Sequence, residues 1–109
     1  ANTATVTQQN GATSNTATVG QTGNANMADV KQQFGSQNNA VMLTQNGDNN
    51  SILANQSSTS NDNRAIVSQG GQSNTAVIDQ QFGAQSNTAV VGQSGIGNSF
   101  SVTQSSGTL

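Results

Sequence analysis

The sequence is dominated by one seven-residue pattern, Asn-x-φ-x-φ-x-Gln, in which φ is an apolar residue and x varies. The pattern occurs nine times, and each asparagine is followed six residues later by its glutamine. This alternation with a period of two puts the asparagine, both apolar residues and the glutamine on one face of a β-strand. The asparagines are Asn2, Asn15, Asn26, Asn39, Asn50, Asn63, Asn74, Asn87 and Asn98, and the glutamines are Gln8, Gln21, Gln32, Gln45, Gln56, Gln69, Gln80, Gln93 and Gln104.

The spacing between the copies organises these strands into a larger repeat. Successive asparagines are separated by steps of thirteen and eleven positions in strict alternation, so the true period is the sum of the two steps, twenty-four. A constant order of strand, short connector, strand and long connector predicts an all-β, cross-β solenoid with two facing strands per rung and about 4.8 Å between rungs. We expect a single domain over 1–109, with an N-terminal half rung at 2–14 and four full rungs at 15–38, 39–62, 63–86 and 87–109.

The connectors contain residues that tight turns require. Each four-residue connector has glycine at its second position, where a corner needs a positive φ angle. These turn glycines are Gly23, Gly47, Gly71 and Gly95. Two of the six-residue connectors contain the tripeptide QFG, and we expect Phe34 and Phe82 to close the ends of those arcs.

The inward apolar positions predict a thin core between the two strands of each rung. If the facing strands run in opposite directions, a small residue opposes a larger one in most pairs, as Ala17 opposes Val30, and such pairs fill a closely packed interior. The predicted core residues are Ala17, Val19, Ala28, Val30, Val41, Leu43, Ile52, Ala54, Ala65, Val67, Ala76, Ile78, Ala89, Val91, Phe100 and Val102.

Composition indicates what supplements so small a core. Only 30% of the residues are hydrophobic, whereas the chain contains 16 asparagines, 15 glutamines and no proline. This composition favours cross-β association, in which stacked side-chain amides hydrogen-bond along the stack. We therefore expect the inward Asn and Gln residues to form structural amide ladders, since an unpaired buried amide costs about 1 to 3 kcal/mol.

Composition also excludes several classes of function. Two basic residues, Lys31 and Arg64, cannot neutralise many phosphates, so nucleic acid is not an expected partner. The chain has no histidine and no cysteine, and its few acids do not converge in the predicted fold, so we expect neither catalysis nor a cofactor or metal site. No apolar run is long enough to insert into a membrane.

The edges of the predicted solenoid offer unpaired backbone groups to another chain. Monomeric β-proteins use proline and charged side chains to protect the edges of their sheets. Strands 2–8 and 98–104 contain neither. We expect the last strand of one copy to meet the first strand of the next, so that copies stack head to tail into a homopolymeric fibril.

The run NTATVGQTGNANMADVKQ, residues 15–32, resembles the repeat of curlin, the subunit of bacterial curli fibres, written Ser-x5-Gln-x-Gly-x2-Asn-x-Ala-x3-Gln. The matching residues are Gln21, Gly23, Asn26, Ala28 and Gln32, and again Gln69, Gly71, Asn74, Ala76 and Gln80. The chain departs from the family where asparagine replaces the leading serine, at 15, 39, 63 and 87, and where Ile52 and Phe100 replace the alanine.

The resemblance implies a secreted functional amyloid, which forms extracellular fibres on the bacterial cell surface, builds biofilm matrix and mediates adhesion. It further implies two partners besides the chain itself, a nucleator subunit and an outer-membrane secretion channel. The family's signal peptide and export segment are not in these 109 residues, so we expect a mature or trimmed chain.

Two monomeric β-solenoids are alternative interpretations. An ice-binding protein would present flat rows of threonine, and Thr3, Thr5, Thr7, Thr16 and Thr18 begin such rows. Later rungs interrupt these rows with residues such as Met42 and Leu53. An adhesin stalk or polysaccharide-binding β-helix would also remain monomeric, and would bind sugar.

Overall fold

The computed structural model describes residues 1–81 and 83–105, and these form nine strands that stack into two parallel sheets. One sheet has the order β1-β3-β5-β7-β9 and the other the order β2-β4-β6-β8. The strands are β1 (Thr3–Gln9), β2 (Thr16–Thr22), β3 (Met27–Gln33), β4 (Ala40–Asp48), β5 (Ser51–Ser57), β6 (Arg64–Gln72), β7 (Thr75–Gln81), β8 (Thr88–Ile96) and β9 (Ser99–Ser105).

Neighbouring strands pair in one constant register, so that each residue lies beside its equivalent in the next repeat. Gln8 pairs with Gln32, Gln32 with Gln56, and so on along the first sheet, while Gln21, Gln45 and the later glutamines align in the second. The predicted all-β solenoid with two strands per 24-residue rung is therefore confirmed. Residues 106–109 of the last predicted rung, 87–109, lie outside the described residues, and so does Phe82.

The facing strands of a rung run in opposite directions, as contacts between the sheets indicate. Gln45, near the end of β4, donates from Nε2 to the carbonyl oxygen of Met27, the first residue of β3, at 2.9 Å. Gln32, near the end of β3, likewise donates to the carbonyl oxygen of Thr16, the first residue of β2, at 3.1 Å. The end of each strand thus lies beside the start of the strand that faces it.

The core lies between the sheets and consists of small and medium aliphatic side chains. Most of the predicted core residues are buried, and Ala17, Val19 and Val102 pack against them while only partly buried. Phe100 departs from the prediction, because 42% of it is exposed. It lies on β9, the outermost strand of its sheet, and therefore has no rung above it to cover the ring.

The short connectors are tighter than the sequence predicts. Strands β4, β6 and β8 continue at least two residues past their glutamines, so Gly47, Gly71 and Gly95 belong to strand ends and pair with one another. Their φ angles are positive, at 125°, 99° and 106°. The chain can stay paired there because glycine backbones approach more closely than residues with a Cβ allow.

The long connectors contribute a further narrow ladder that sequence analysis missed. Thr13, Gln37, Asn61 and Gln85 form successive parallel bridges with the same spacing as the strands. Phe34 does not close its arc as expected, since 54% of it is exposed at a φ angle of 58°. No helix in residues 1–81 or 83–105 is long and apolar enough to cross a membrane.

One long connector contains a strained residue at a position where the others have glycine. Thr59 has a φ angle of 64°, whereas Gly11, Gly35 and Gly83 occupy the equivalent position in the other arcs. A side chain in this left-handed region costs about 1 to 2 kcal/mol, and a β-branched one is especially unfavourable.

We therefore expect Thr59→Gly to raise the free energy of unfolding by about 0.5 to 1 kcal/mol, after the entropy of the more flexible unfolded chain is subtracted. Urea denaturation of the variant and the parent protein would measure this difference. Thr88→Gly, in the extended strand β8, is the matched control and is expected to destabilise. A loss of stability in Thr59→Gly would contradict the strain.

Candidate functional site: amide ladders and open strand edges

The motif glutamines form two continuous ladders that run along the stack inside the solenoid. Each Nε2 donates to the Oε1 of the glutamine one rung further on. In the first sheet the distances are 2.6 Å from Gln8 to Gln32, 2.9 Å from Gln32 to Gln56, 2.8 Å from Gln56 to Gln80 and 2.6 Å from Gln80 to Gln104. In the second they are 2.7 Å from Gln21 to Gln45, 3.1 Å from Gln45 to Gln69 and 2.7 Å from Gln69 to Gln93.

The same amides also satisfy backbone groups where the chain leaves the strand. Gln56 is fully buried, and its Nε2 donates to the carbonyl oxygens of Asn63 at 3.2 Å and Ala40 at 3.4 Å besides its ladder partner. Since burying an unpaired carbonyl or amide is costly, each glutamine holds both its own rung and the next arc in place.

The motif asparagines connect each rung to the next at the opposite end of the strand. The Oδ1 of Asn39 accepts from the backbone N–H of Asn63 at 2.7 Å, and its Nδ2 donates to the carbonyl oxygen of Ser60 at 2.9 Å. Asn50 repeats the arrangement, accepting from the N–H of Asn74 at 3.0 Å and donating to the carbonyl oxygen of Gly71 at 3.0 Å. The pattern Asn plus Gln therefore links every strand to its neighbour at both ends.

The arc positions that receive these amides lie outside the seven-residue pattern and are not predicted by it. Ser36, Ser60 and Ala84 are each fully buried in successive long connectors, one rung apart. Asn15 and Asn39 donate to both the carbonyl and the hydroxyl oxygen of their serine, whereas Asn63 donates to the carbonyl oxygen of Ala84. A small residue at the same place in every long connector is the signal that could have indicated this position.

The ladders give the stack a direction, so its two ends differ chemically. All the glutamine ladder bonds point from lower to higher residue numbers. Within the described residues, the β1 end therefore presents the Oε1 acceptors of Gln8 and Gln21, and the β9 end presents the Nε2 donors of Gln93 and Gln104. Aligned amides polarise one another, which strengthens a chain of such bonds.

The backbone at the β9 end also has hydrogen-bonding groups that face away from the stack. Outward residues bond towards the next rung, as the N–H of Thr75 does to the carbonyl oxygen of Asn98 at 2.8 Å. Because neighbouring residues of a strand bond to opposite sides, the outward residues of β9, including Ser99, Ser101 and Thr103, direct their N–H and C=O groups away from β7. The described β9 edge thus offers a row of donors and acceptors.

Few ionisable side chains lie on the outer surfaces of the described part of the chain. Among residues 1–81 and 83–105, no group of His, Cys, Asp or Glu could hold a metal ion. A shallow cavity of about 180 Å³ on the outside of β2, β4 and β6 contains only one ionisable side chain, Arg64, among its lining residues. The only ion pair within the described part of the chain joins Lys31 Nζ to an oxygen of Asp29 at 3.4 Å.

The fold and its ladders define a class of protein, the parallel β-solenoid. Each rung repeats the same contacts, and the acceptors at one end of the stack complement the donors at the other. The family model described as the curlin associated repeat matches the chain twice, at residues 1–33 and 37–70. These matches cover more than half of the 109 residues, and the chain belongs to the curlin repeat family. No curated protein and no solved structure gave a significant match.

Proposed function

We propose that this protein is the structural subunit of a curli-like amyloid fibre that grows when copies stack rung on rung. The observation that carries the proposal is the pair of open ends, each of which presents the groups that the other lacks. Within the described residues, the side-chain carbonyl oxygens of Gln8 and Gln21 receive no ladder bond, and the Nε2 groups of Gln93 and Gln104 donate none. The curlin repeat supports the same conclusion, since it belongs to structural amyloid subunits.

The cellular setting follows from the family and is part of the proposal. A curli-like subunit is secreted through an outer-membrane channel, meets a nucleator subunit on the cell surface, and contributes to biofilm matrix and adhesion. The rungs 15–38, 39–62, 63–86 and 87–109, with the half rung 2–14, would then be the units that the fibre repeats. No catalytic role is proposed for any residue.

The monomeric interpretations have weaker support. In the outward column that begins with Thr18, the next paired residues are Met42, Ile66 and Val90, and in the column that begins with Thr16 they are Ala40, Arg64 and Thr88. Neither column continues as a row of threonines. A monomeric solenoid would also need protected edges, and the described β1 and β9 edges contain no charge or proline.

Incubation of the purified 109-residue polypeptide tests the proposal. We expect fibres that grow after a lag, shorten that lag when preformed fibres are added, and give cross-β diffraction with a meridional spacing of about 4.8 Å. A concentrated sample that stays monomeric would overturn the proposal. Thermal hysteresis or sugar binding by that monomer would instead favour the alternatives.

A proline at the β9 edge should separate folding from elongation. Ser101 lies on β9, where its N–H faces away from β7, so Ser101→Pro removes no ladder bond within the chain. The proline takes away a donor that an incoming strand would use. We expect elongation from seeds to slow by about tenfold or more, corresponding to the loss of about 1.4 kcal/mol, while Ser101→Thr elongates at the parent rate. Equal rates for both variants would exclude this edge from growth.

A further inference from the structure

The outer face of the β2-β4-β6-β8 sheet has a column of large apolar residues beside a column of smaller ones, an arrangement suited to packing against another sheet. We call it the ridge face. Its second outward column forms a ridge of paired residues, Thr18, Met42, Ile66 and Val90. Met42 is 47% exposed and Val90 is 67% exposed, although both are large aliphatic side chains. An exposed apolar column of this kind is typical of an interaction surface.

Beside the ridge lies a column of smaller side chains, which we call the groove. The third outward column consists of Gly20, Thr44, Ser68 and Gly92. Neither glycine has a positive φ angle, and a Cβ at Gly92 would meet nothing within 4 Å. The described fold therefore does not require glycine there, although glycine weakens a strand interior. Glycine in a strand often indicates that another backbone approaches closely.

The opposite outer face has no corresponding column of small residues. At the corresponding column of the β1-β3-β5-β7-β9 sheet the residues are Thr7, Lys31, Asn55, Asp79 and Thr103. Asp79 accepts from Asn55 at 3.1 Å and from Gln81 at 2.6 Å, and Lys31 pairs with Asp29. This face contains three charged side chains, Asp29, Lys31 and Asp79, and it is the more polar of the two, although Met27 and Leu53 are 52% and 36% exposed on its other outward columns.

The charges of the ridge face lie at its two margins. Arg64 occupies the first outward column, and Asp48 occupies the last paired position, where its Oδ1 accepts from the backbone N–H of Asn24 at 2.8 Å. Within residues 1–81 and 83–105, the Arg64 guanidinium makes no salt bridge and no side-chain hydrogen bond. The face therefore presents an unpaired positive charge at one side of the ridge and groove and a carboxylate at the other.

We propose that the ridge face binds the ridge face of a second copy, related by a two-fold axis that runs parallel to the stack. Such an axis reverses the order of the columns, so the ridge of each copy enters the groove of the other. With the ridge against the groove, the column that contains Arg64 faces the fourth column, Thr22, Asn46, Gly70 and Ser94, and the margin that contains Asp48 of the neighbour lies one column further on the same side. A two-fold axis perpendicular to the stack would keep the order of the columns, setting ridge against ridge and Arg64 against Arg64.

The pairing is an isologous contact of the steric-zipper kind, in which two sheets interdigitate without water. It rests on the proposed function, because only a continuous stack repeats the ridge and groove over a long distance. The consequence is a fibre built from two parallel stacks, with the charged faces outward.

Mass per length of the fibres is the decisive measurement. A 24-residue rung of this 11.0 kDa chain weighs about 2.4 kDa, so a single stack has about 0.5 kDa per Å and a pair about 1.0 kDa per Å at the usual rung spacing. We expect the larger value for the parent protein. Gly92→Val fills the groove in open space and is expected to halve it, while Thr103→Val, at the equivalent column of the charged face, is expected to leave it unchanged.

Exchanging the charges of Arg64 and Asp48 provides a second test of the pairing. Arg64→Asp and Asp48→Arg should each lower the fraction of paired fibres, and the double variant should restore part of it. Asp62→Asn changes a charge on the neighbouring arc and should have no effect. Absence of fibres from the parent protein would overturn the proposed function itself. Parent fibres of single-stack mass, or pairing that survives both Gly92→Val and Arg64→Asp, would overturn only the ridge-face pairing.

Discussion

Gly71→Ala is expected to destabilise the solenoid strongly, whereas Gly70→Ala, one residue earlier, is expected to be tolerated. A Cβ on Gly71 would overlap the backbone carbonyl of Gly95 in the next rung, and the φ angle of Gly71 is 99°. A Cβ on Gly70 would lie 4.0 Å from its nearest neighbour, the carbonyl oxygen of Gln93, an ordinary contact distance. The two substitutions add the same methyl group to the same strand, β6.

The expected cost of Gly71→Ala is about 3 kcal/mol or more. The backbone conformation alone accounts for about 1 to 2 kcal/mol, and the overlap with a carbonyl that cannot move without breaking the ladder adds to it. Because about 1.4 kcal/mol corresponds to a factor of ten, the concentration of protein left unassembled at equilibrium should rise by about a hundredfold or more.

The measurement is the residual soluble concentration beside mature fibres, together with the free energy of unfolding in urea. Gly70→Ala should match the parent in both, or be slightly more stable because alanine restricts the unfolded chain. Similar behaviour of the two variants would show that the glycine column at 47, 71 and 95 does not stack closely. That result would contradict the register at this corner.

Much of this fold can be predicted from sequence because a single spacing rule determines the register. An inward Gln at every strand end can bond to its equivalent only when the rungs align with the period of the repeat, and any slip of one residue would turn Gln56 outward. The repeat therefore predicts strand partners, sheet number and the ladders together. Residue-level periodicity is sufficient for these features because every rung repeats the same contacts.

Other features depend on what lies above or beside a residue, which periodicity does not report. Phe100 has the same position in its motif as Ile52, yet it is 42% exposed because β9 is an edge. The extension of β4 to Asp48 depends on the close approach of glycine backbones, and the bridge between Gln37 and Asn61 depends on the path of the long arc. The ridge face likewise requires knowing which outward residues form columns.

A buried charge in the glutamine ladder is the second large perturbation we expect. Gln56 is fully buried, accepts from Gln32 at 2.9 Å, and donates to Gln80 at 2.8 Å and to the Asn63 carbonyl at 3.2 Å. In Gln56→Glu an ionised carboxylate would lose every bond that Nε2 donates and would face the oxygen atoms of Gln80, Asn63 and Ala40. An uncompensated buried charge of this kind costs about 3 to 5 kcal/mol.

The effect should depend on pH in a direction that a simple packing defect would not produce. Burial disfavours the charged form, so the pKa of the introduced carboxyl is raised in the folded protein above its unfolded value of about 4.3. Stability relative to the parent is therefore greatest below that unfolded pKa and is lost as the pH rises towards the raised pKa. A protonated carboxyl restores one donated bond, so recovery at low pH should be large but incomplete.

Assembly and urea unfolding measured between about pH 3 and pH 8, on the scale of ordinary carboxyl titration, would test this expectation against a matched variant. Gln37→Glu adds the same charge to an exposed side chain in a long arc, and its difference from the parent should be small at every pH. At neutral pH, the concentration of soluble protein that remains beside the fibres should then be higher by orders of magnitude for Gln56→Glu than for Gln37→Glu. Parent-like assembly of Gln56→Glu at neutral pH would mean that water reaches the ladder, and the amide columns could no longer be what joins one rung to the next.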